Sequence, residues 1–230
     1  MRTDAAFVSL VQTIRRWIRP GQTLLLGMVG LPGAGKSTLA AQLVEELSEL
    51  RAVSLSLDDF YLPGEERQKR GFAFRGPPGT HDLELVQRFL DQLRARPCQL
   101  SVPAFDRGAE LPLPPRLCRG PLDLCLLEGF LVGITAPGYE PLRDSLERLI
   151  FVEIDPEAAL AARLQREAAQ LAAGRGGMNP DEVLRFWHES LWPQVERYVL
   201  PLRERADVIV QLRPDHSLQM VYFPDGTLRN

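Results

Sequence analysis

The stretch Gly30-Leu31-Pro32-Gly33-Ala34-Gly35-Lys36-Ser37 decides the fold of this chain. It matches the pattern G-x-x-x-x-G-K-[ST], in which a glycine-rich turn joins a strand to a helix. Glycines let the backbone curl so that successive N–H groups converge on phosphate oxygens, and the positive end of the following helix adds to the attraction. The stretch therefore predicts a site for a nucleoside triphosphate.

The polar side chains of the stretch indicate how such a site would work. Lys36 is expected to contact the β- and γ-phosphates of ATP, and the Ser37 hydroxyl to hold Mg²⁺. The residues predicted to contact the nucleotide are Gly30, Leu31, Pro32, Gly33, Ala34, Gly35, Lys36, Ser37 and Thr38.

Apolar runs and helical periodicity alternate on both sides of this stretch. The predicted strands cover residues 23–29, 51–57, 122–128, 149–154 and 207–212, with 218–223 as a candidate edge strand. The predicted helices cover residues 4–18, 36–50, 82–95, 156–173 and about 180–205. The fold class is therefore α/β: a P-loop three-layer sandwich with a mostly parallel five-stranded sheet.

The sequence predicts one domain over residues 1–230, with a helical lid at about 156–180. The glycine-rich segment 174–177 is a candidate hinge, and Arg175 within it is a candidate for the lid's positive charge. The polar segment 62–80 and the proline-rich segment 97–121 are both predicted to be loops.

Composition limits the partners of the chain. The 230 residues carry a net charge of −3, whereas proteins that bind nucleic acid by counterion release usually carry a basic surplus. The three cysteines form no CxxC pair, and no apolar run approaches the roughly 20 residues that span a bilayer. We expect a cytoplasmic protein with a small-molecule substrate, without a signal peptide and without nucleic-acid or membrane partners. The oligomeric state is left open.

Acidic residues close two of the predicted strands. Asp58 and Asp59 follow the second strand, and Glu128 ends the third. The carboxyl ends of parallel strands face the ligand crevice, where carboxylates can hold Mg²⁺, orient a hydroxyl group or accept its proton. The alternatives are a turn or a helix cap for the pair, and a plain strand end for Glu128. Asp58 is the preferred base, and Ser37, Asp58 and Glu128 are the predicted metal ligands.

Further candidates lie in the predicted loops and in the lid. Arg75, His81 and Arg107 are placed to contact an anionic or polyhydroxy substrate, whereas Asp82 could equally cap the helix that follows it. Arg163 and Arg166 lie three residues apart, so they share one helix face. They form either a solvated face paired with Glu167 or a source of positive charge for the transferring phosphoryl group.

Two absences narrow the class of nucleotide-binding protein. The chain has no N-K-x-D motif, which argues against guanine-specific binding, and no L-S-G-G-Q signature. A small-molecule kinase is favoured over an ATPase that acts on a protein partner, although the second class stays open.

The order of the motifs resembles a known family. The P-loop, S-x-D-D-F-Y-L at residues 56–62, R-G-x-P-G-T-H-D at 75–82, P-x-F-D at 103–106 and L-x-E-G at 126–129 are similar to those of plant-type D-glycerate 3-kinases and their fungal relatives. These enzymes belong to the wider uridine kinase, pantothenate kinase and phosphoribulokinase group. The resemblance extends from about residue 20 to 212.

The resemblance implies transfer of the γ-phosphoryl group of ATP, with Mg²⁺, to a substrate hydroxyl group. It makes Asp58 the catalytic base beside Lys36, and Arg163 and Arg166 the lid arginines. It places Asp59, Tyr61, His81 and Asp82 in the acceptor site. The segment 107–112 is shorter than its counterpart in glycerate kinases, so a nucleoside, pantothenate or a sugar remains an alternative acceptor to D-glycerate.

Overall fold

The computed structural model describes residues 5–174 and 177–223. Strands β1 to β8 cover Leu24–Gly30, Ala52–Ser56, Gln99–Asp106, Leu111–Arg119, Leu124–Glu128, Arg148–Glu153, Val208–Leu212 and Leu218–Tyr222. Helices α1 to α7 cover Ala5–Trp17, Lys36–Glu46, Gly64–Lys69, Leu83–Ala95, Glu140–Ser145, Pro156–Ala172 and Pro180–Arg185.

The central sheet has six strands in the order β2-β5-β1-β6-β7-β8. Strands β2, β5, β1, β6 and β7 run parallel to one another, as the sequence predicts, and β8 pairs antiparallel with β7 at the edge. Every residue of β1 and of β5 is buried, because helices cover the sheet and leave these strands no solvent-facing side. The P-loop kinase α/β fold expected from the sequence is confirmed.

The parallel register brings the ends of three strands together. Met28 of β1 and Ser56 of β2 both lie beside Glu128, the last residue of β5. The phosphate-loop stretch follows β1 directly, and the Asp58-Asp59 pair follows β2. The carboxyl ends of β1, β2 and β5 therefore bring together the phosphate-loop stretch, the Asp58-Asp59 pair and Glu128.

The prediction of a loop over residues 97–121 was wrong. Strands β3 and β4 form an antiparallel hairpin there, with its register shift between Val102 and Ala104. Proline cannot donate to a sheet ladder, so it is tolerated at bulges and on edge strands. Pro103 lies at the irregular position, and β4 has β3 as its single partner strand, which explains how prolines fit within it.

The other departures from the predicted elements are local. The short helices α3 and α5 lie in segments that the sequence did not predict to be helical. The predicted helix over about 180–205 changes its winding after α7: π-helical turns cover Phe186–Leu191 and Val195–Val199, and a 3₁₀ turn covers Leu200–Arg205. Pro193 and Pro201 lack the N–H that a regular helix needs, so a uniform α-helix cannot run through them. Within the described residues, no helix is both long and apolar enough to cross a membrane.

Candidate active site

The phosphate loop lies between β1 and α2 and touches helix α6. Gly33 has φ +88°, and a Cβ atom there would lie 2.2 Å from the Ala159 carbonyl oxygen of α6. Gly35 caps α2 in the left-handed region at φ +78°. Glycine is required at both positions, because other residues rarely adopt this conformation and because α6 leaves no room for a side chain at Gly33.

Lys36 is folded back onto the loop that it follows. Its ammonium group donates hydrogen bonds to the carbonyl oxygens of Gly30, at 3.0 Å, and Leu31, at 2.8 Å. Burial lowers the pKa of the Lys36 ammonium, while Glu128 and Asp58 oppose that shift. The geometry places a buried positive charge where the phosphates of a nucleotide would meet the loop.

Ser37 and Glu128 form the part of the site that fits a metal ion. The Ser37 hydroxyl donates a 2.8 Å hydrogen bond to Glu128 Oε1. In residues 5–174 and 177–223 no group of three or more His, Cys, Asp or Glu side chains is arranged to hold a metal. Mg²⁺ in ATP sites usually takes one or two protein ligands and completes its shell with phosphates and water, so this small donor set fits it.

Asp58 and Asp59 sit in a 3₁₀ turn, Leu57–Phe60, at the end of β2. The Asp58 carboxylate lies 3.4 Å from the Arg107 guanidinium, and the Ser56 hydroxyl accepts a hydrogen bond from the Asp58 N–H. Burial raises the pKa of the Asp59 carboxyl, with Arg107 opposing the shift. The turn therefore holds the Asp58 carboxylate toward a cation, with the half-buried Asp59 carboxyl beside it.

Arg107 reaches Asp58 from the tip of the β3–β4 hairpin. Asp106 accepts hydrogen bonds from the N–H groups of Gly108 and Ala109, at 2.8 and 2.9 Å, which folds residues 107–110 into a tight turn. Burial disfavours the charge on Arg107, but the nearby Asp58 and other acidic groups outweigh burial and raise the pKa of the guanidinium. Arg75 donates a 2.6 Å hydrogen bond to the Arg107 carbonyl oxygen, so two arginines lie at this side of the site.

Tyr61 and His81 are stacked below Asp58. Their rings lie 4.4 Å apart and nearly parallel. Burial, and then the Asp58 carboxylate, raise the pKa of Tyr61 well above its ordinary value. Asp82 has the structural role that the sequence left open: its Oδ1 accepts a 2.8 Å hydrogen bond from the Leu85 N–H and caps α4. Its contact with a substrate stays a prediction without support from this geometry.

Both arginines of α6 face Glu167. Arg163 and Arg166 each lie 3.7 Å from Glu167 Oε1, but the Arg163 side chain is 11% exposed and that of Arg166 is 49% exposed. Burial, and then Arg166, lower the pKa of the Arg163 guanidinium. The charge of Arg166 also contributes to lowering the pKa of Lys36. Arg175 lies outside the described residues.

Sequence reasoning missed three contacts of the site. His216, in the β7–β8 turn, bonds to the Gly33 carbonyl oxygen at 2.8 Å. Tyr139 Oη lies 2.7 Å from His81 Nδ1. Glu110 accepts a 2.7 Å hydrogen bond from the buried Arg67, which ties the segment before Arg75 to the hairpin tip. The newly found residues His216, Tyr139 and Glu110 belong to no short motif, so only the folded chain brings them to the site.

A phosphate loop at the end of a parallel sheet, with carboxylates at the ends of neighbouring strands, is typical of P-loop nucleotide-binding proteins. The model of the phosphoribulokinase/uridine kinase family matches residues 25–219, and the chain belongs to that family. It is a small-molecule kinase of this family, whose members generally use ATP with Mg²⁺.

Two relatives and one solved structure describe the likeness further. Uridine-cytidine kinase B of Dictyostelium discoideum is 26% identical over 194 residues, covering 84% of this chain and 76% of the relative. The uridine kinase of Halobacterium salinarum is 26% identical over 187 residues, covering 80% and 78%. The structure of D-glycerate 3-kinase from Cryptococcus neoformans matches with a TM-score of 0.72 at 20% identity, covering 94% and 96%, which shows a shared fold.

Proposed function

We propose that this kinase transfers the γ-phosphoryl group of ATP to a hydroxyl group of a small hydroxy acid, with D-glycerate as the first candidate. The observation that carries the proposal is the Arg107 guanidinium, 3.4 Å from the Asp58 carboxylate. A carboxylate on the acceptor would meet Arg107, with Arg75 behind it, and its hydroxyl group would then lie close to Asp58. A neutral acceptor has no group that needs these cations.

In this proposal the residues of the site divide the reaction among them, and Asp58 has two tasks. The loop from Gly30 to Thr38 and Lys36 bind the phosphates. Ser37 and Glu128, with Asp58, would hold Mg²⁺, which neutralises phosphate charge when bound. Asp58 accepts the hydroxyl proton while the hydroxyl oxygen bonds to phosphorus and the bond from phosphorus to ADP breaks. Arg163 and Arg166 offset the charge on the transferring group, so the rate gain comes mainly from positioning and electrostatics.

A pyrimidine nucleoside is the second candidate acceptor. The two sequence relatives reported above are named as uridine or uridine-cytidine kinases. In addition, aromatic rings lie close to the candidate base Asp58. Tyr61 lies 6.0 Å from the Phe105 ring in an edge-to-face arrangement. A base could stack there, whereas an acid as small as glycerate would not need such rings.

The deciding experiment measures ADP release with Mg²⁺-ATP and four acceptors: D-glycerate, uridine, pantothenate and a sugar. We expect D-glycerate to give the highest kcat/KM. The Arg107→Gln variant should lower kcat/KM for D-glycerate by about tenfold to hundredfold, the loss of about 1.5–3 kcal/mol expected for a charged hydrogen bond. Its effect on a neutral acceptor should be smaller.

Arg119→Gln is the matched control, because it removes the same charge from an exposed position at the far end of the same hairpin. If uridine were phosphorylated and the other three compounds were not, the acceptor would be a nucleoside and not a hydroxy acid. A chain that phosphorylates none of the four compounds would contradict the proposed acceptor classes.

A further inference from the structure

His81 is a buried histidine with one unsatisfied nitrogen. The residue is 2% exposed, and its Nδ1 lies 2.7 Å from Tyr139 Oη. Its Nε2 is buried and has no hydrogen-bond partner within the part of the chain that the structure describes. Buried polar groups are almost always hydrogen-bonded, so we expect Nε2 to have a partner other than these protein atoms.

The hydrogen bonds around Tyr139 decide which nitrogen of His81 carries the proton. The Gly79 N–H donates to Tyr139 Oη at 3.3 Å, so the phenol oxygen already acts as an acceptor. If the phenol O–H donates to Nδ1, the proton of a neutral His81 ring must lie on Nε2. If instead Nδ1–H donated to Tyr139 Oη, two groups would be unsatisfied, the phenol proton and the Nε2 lone pair. Donation from the phenol O–H leaves only one group unsatisfied, the Nε2–H, so it is the favoured arrangement.

The ring is neutral at physiological pH. Burial lowers the pKa of His81 to about 4, although the Asp58 carboxylate opposes the shift. Two tyrosines face the ring, Tyr61 by stacking and Tyr139 edge-on, and neither carries a charge near neutral pH. A neutral ring bonded in this way offers one N–H donor, at Nε2.

The donor belongs to the same part of the site as the candidate base. His81 stacks on Tyr61, and the Asp58 carboxylate acts electrostatically on both side chains. A backbone bridge between Tyr61 and His81 holds the two residues together. The unsatisfied N–H is therefore fixed to the elements that would hold the phosphoryl acceptor.

We propose that the Nε2–H group of His81 is a specificity-determining donor that binds an oxygen of the phosphoryl acceptor, and that Tyr139 is a positioning residue that keeps the proton on Nε2. The ligand is a compound with a hydroxyl or carboxylate oxygen at this point, and a group that can only donate a hydrogen bond there would be rejected. The inference rests on the proposed function as far as the acceptor is concerned. The protonation of Nε2 does not depend on it.

The first test is ¹⁵N NMR of the histidine rings in the whole protein. Substitution of each of the three histidines in turn assigns the signals. We expect His81 to be protonated at Nε2 and Tyr139→Phe to shift the proton partly or wholly to Nδ1. Addition of D-glycerate or uridine should move the Nε2 signal. Protonation at Nδ1 in the wild type, or an Nε2 signal that neither compound moves, would overturn the proposal.

The second test is kinetic. His81→Asn places its amide near Nδ1 and removes the donor at Nε2, whereas the longer His81→Gln can restore that donor. We expect His81→Asn to raise KM for the acceptor by about tenfold or more, with KM for ATP unchanged, and His81→Gln to recover part of the loss. His188→Asn, at an exposed position, is the matched control.

An acceptor KM that His81→Asn leaves unchanged would overturn the donor role. Should His81→Asn fail to fold, Tyr139→Phe provides the same kinetic comparison, since it leaves the imidazole in place. A wild-type protein that turns over no acceptor would overturn the proposed function, and the NMR titration would still decide the assignment of the donor.

Discussion

Gly33 lies where helix α6 passes the phosphate loop. A methyl group at this residue would meet the Ala159 carbonyl oxygen at 2.2 Å and would also have to adopt φ +88°. We therefore expect Gly33→Ala to weaken ATP binding strongly and to lower the melting temperature, as measured by calorimetric titration and thermal unfolding.

The effect of Gly33→Ala has two causes, the clash with Ala159 and the left-handed φ, and the control Gly21→Ala separates them. Gly21 has a similar φ of +77°, but a Cβ there would meet no atom within 4 Å. The control should cost about 1–2 kcal/mol in the free energy of unfolding and leave ATP binding intact. Equal effects of the two substitutions on ATP binding would show that the contact with α6 is unimportant.

A second prediction at the scale of one residue concerns the buried ring of His81 and the dependence of stability on pH. Its pKa falls from 6.5 to about 4 on folding, so the unfolded chain binds more protons between these two values. The resulting stabilisation is fully present above about pH 6.5 and is lost as the pH falls toward 4. Urea unfolding of wild type and His81→Gln across this range should show a steeper loss in the wild type, and parallel curves would contradict a buried neutral ring.

At the scale of elements, the β7–β8 hairpin supports the phosphate loop from outside. His216, in its turn, bonds to the Gly33 carbonyl oxygen, and a cavity of about 150 Å³ lies between the turn, α1 and α2. The bond fixes the orientation of the Gly33–Ala34 peptide. The hairpin thus contacts the predicted nucleotide site, although it lies far from the loop in sequence.

The hairpin contact predicts an effect on ATP binding alone. His216→Ala should weaken ATP binding by about twofold to tenfold, as expected from the loss of one hydrogen bond of about 0.5–1.5 kcal/mol. His216→Gln, which can still donate to the carbonyl oxygen, should recover most of the affinity. Calorimetric titration with Mg²⁺-ATP measures both variants, and identical affinities for His216→Ala and wild type would remove the contact from the nucleotide site.

At the scale of the whole molecule, the sequence predicted the parallel sheet correctly, and it placed the phosphate-loop stretch and Glu128 at the same end of that sheet, as observed. Continuous apolar runs identify strands buried on both faces, and the phosphate-loop motif fixes the strand and the helix around it. From these two signals the position of Glu128 beside Ser37 follows directly. The wider uridine kinase and phosphoribulokinase group was also predicted correctly from the ordered motifs, whereas the D-glycerate 3-kinase subfamily stays a prediction.

The hairpin over residues 99–119 could not be predicted in the same way. Prolines such as Pro112 argue against a strand, and only the edge position of β4 makes them tolerable. Tyr139 and His216 reach the site through tertiary contacts, for which a single sequence carries no periodic signal. In the proposed function the acceptor meets Arg107 at the tip of this hairpin and His81 beside Tyr139, so the segments that the sequence did not predict are those that would bind the acceptor.

The central claim is that Asp58 serves as the base of a phosphoryl-transfer site built on the phosphate loop. It is tested most directly by comparing Asp58→Asn with wild type in two measurements, kcat with the best acceptor and the affinity for Mg²⁺-ATP. Asp91→Asn, on the exposed side of α4, is the control. The account predicts a fall in kcat of about 10²–10⁴-fold with ATP binding retained. Unchanged turnover in Asp58→Asn would contradict it.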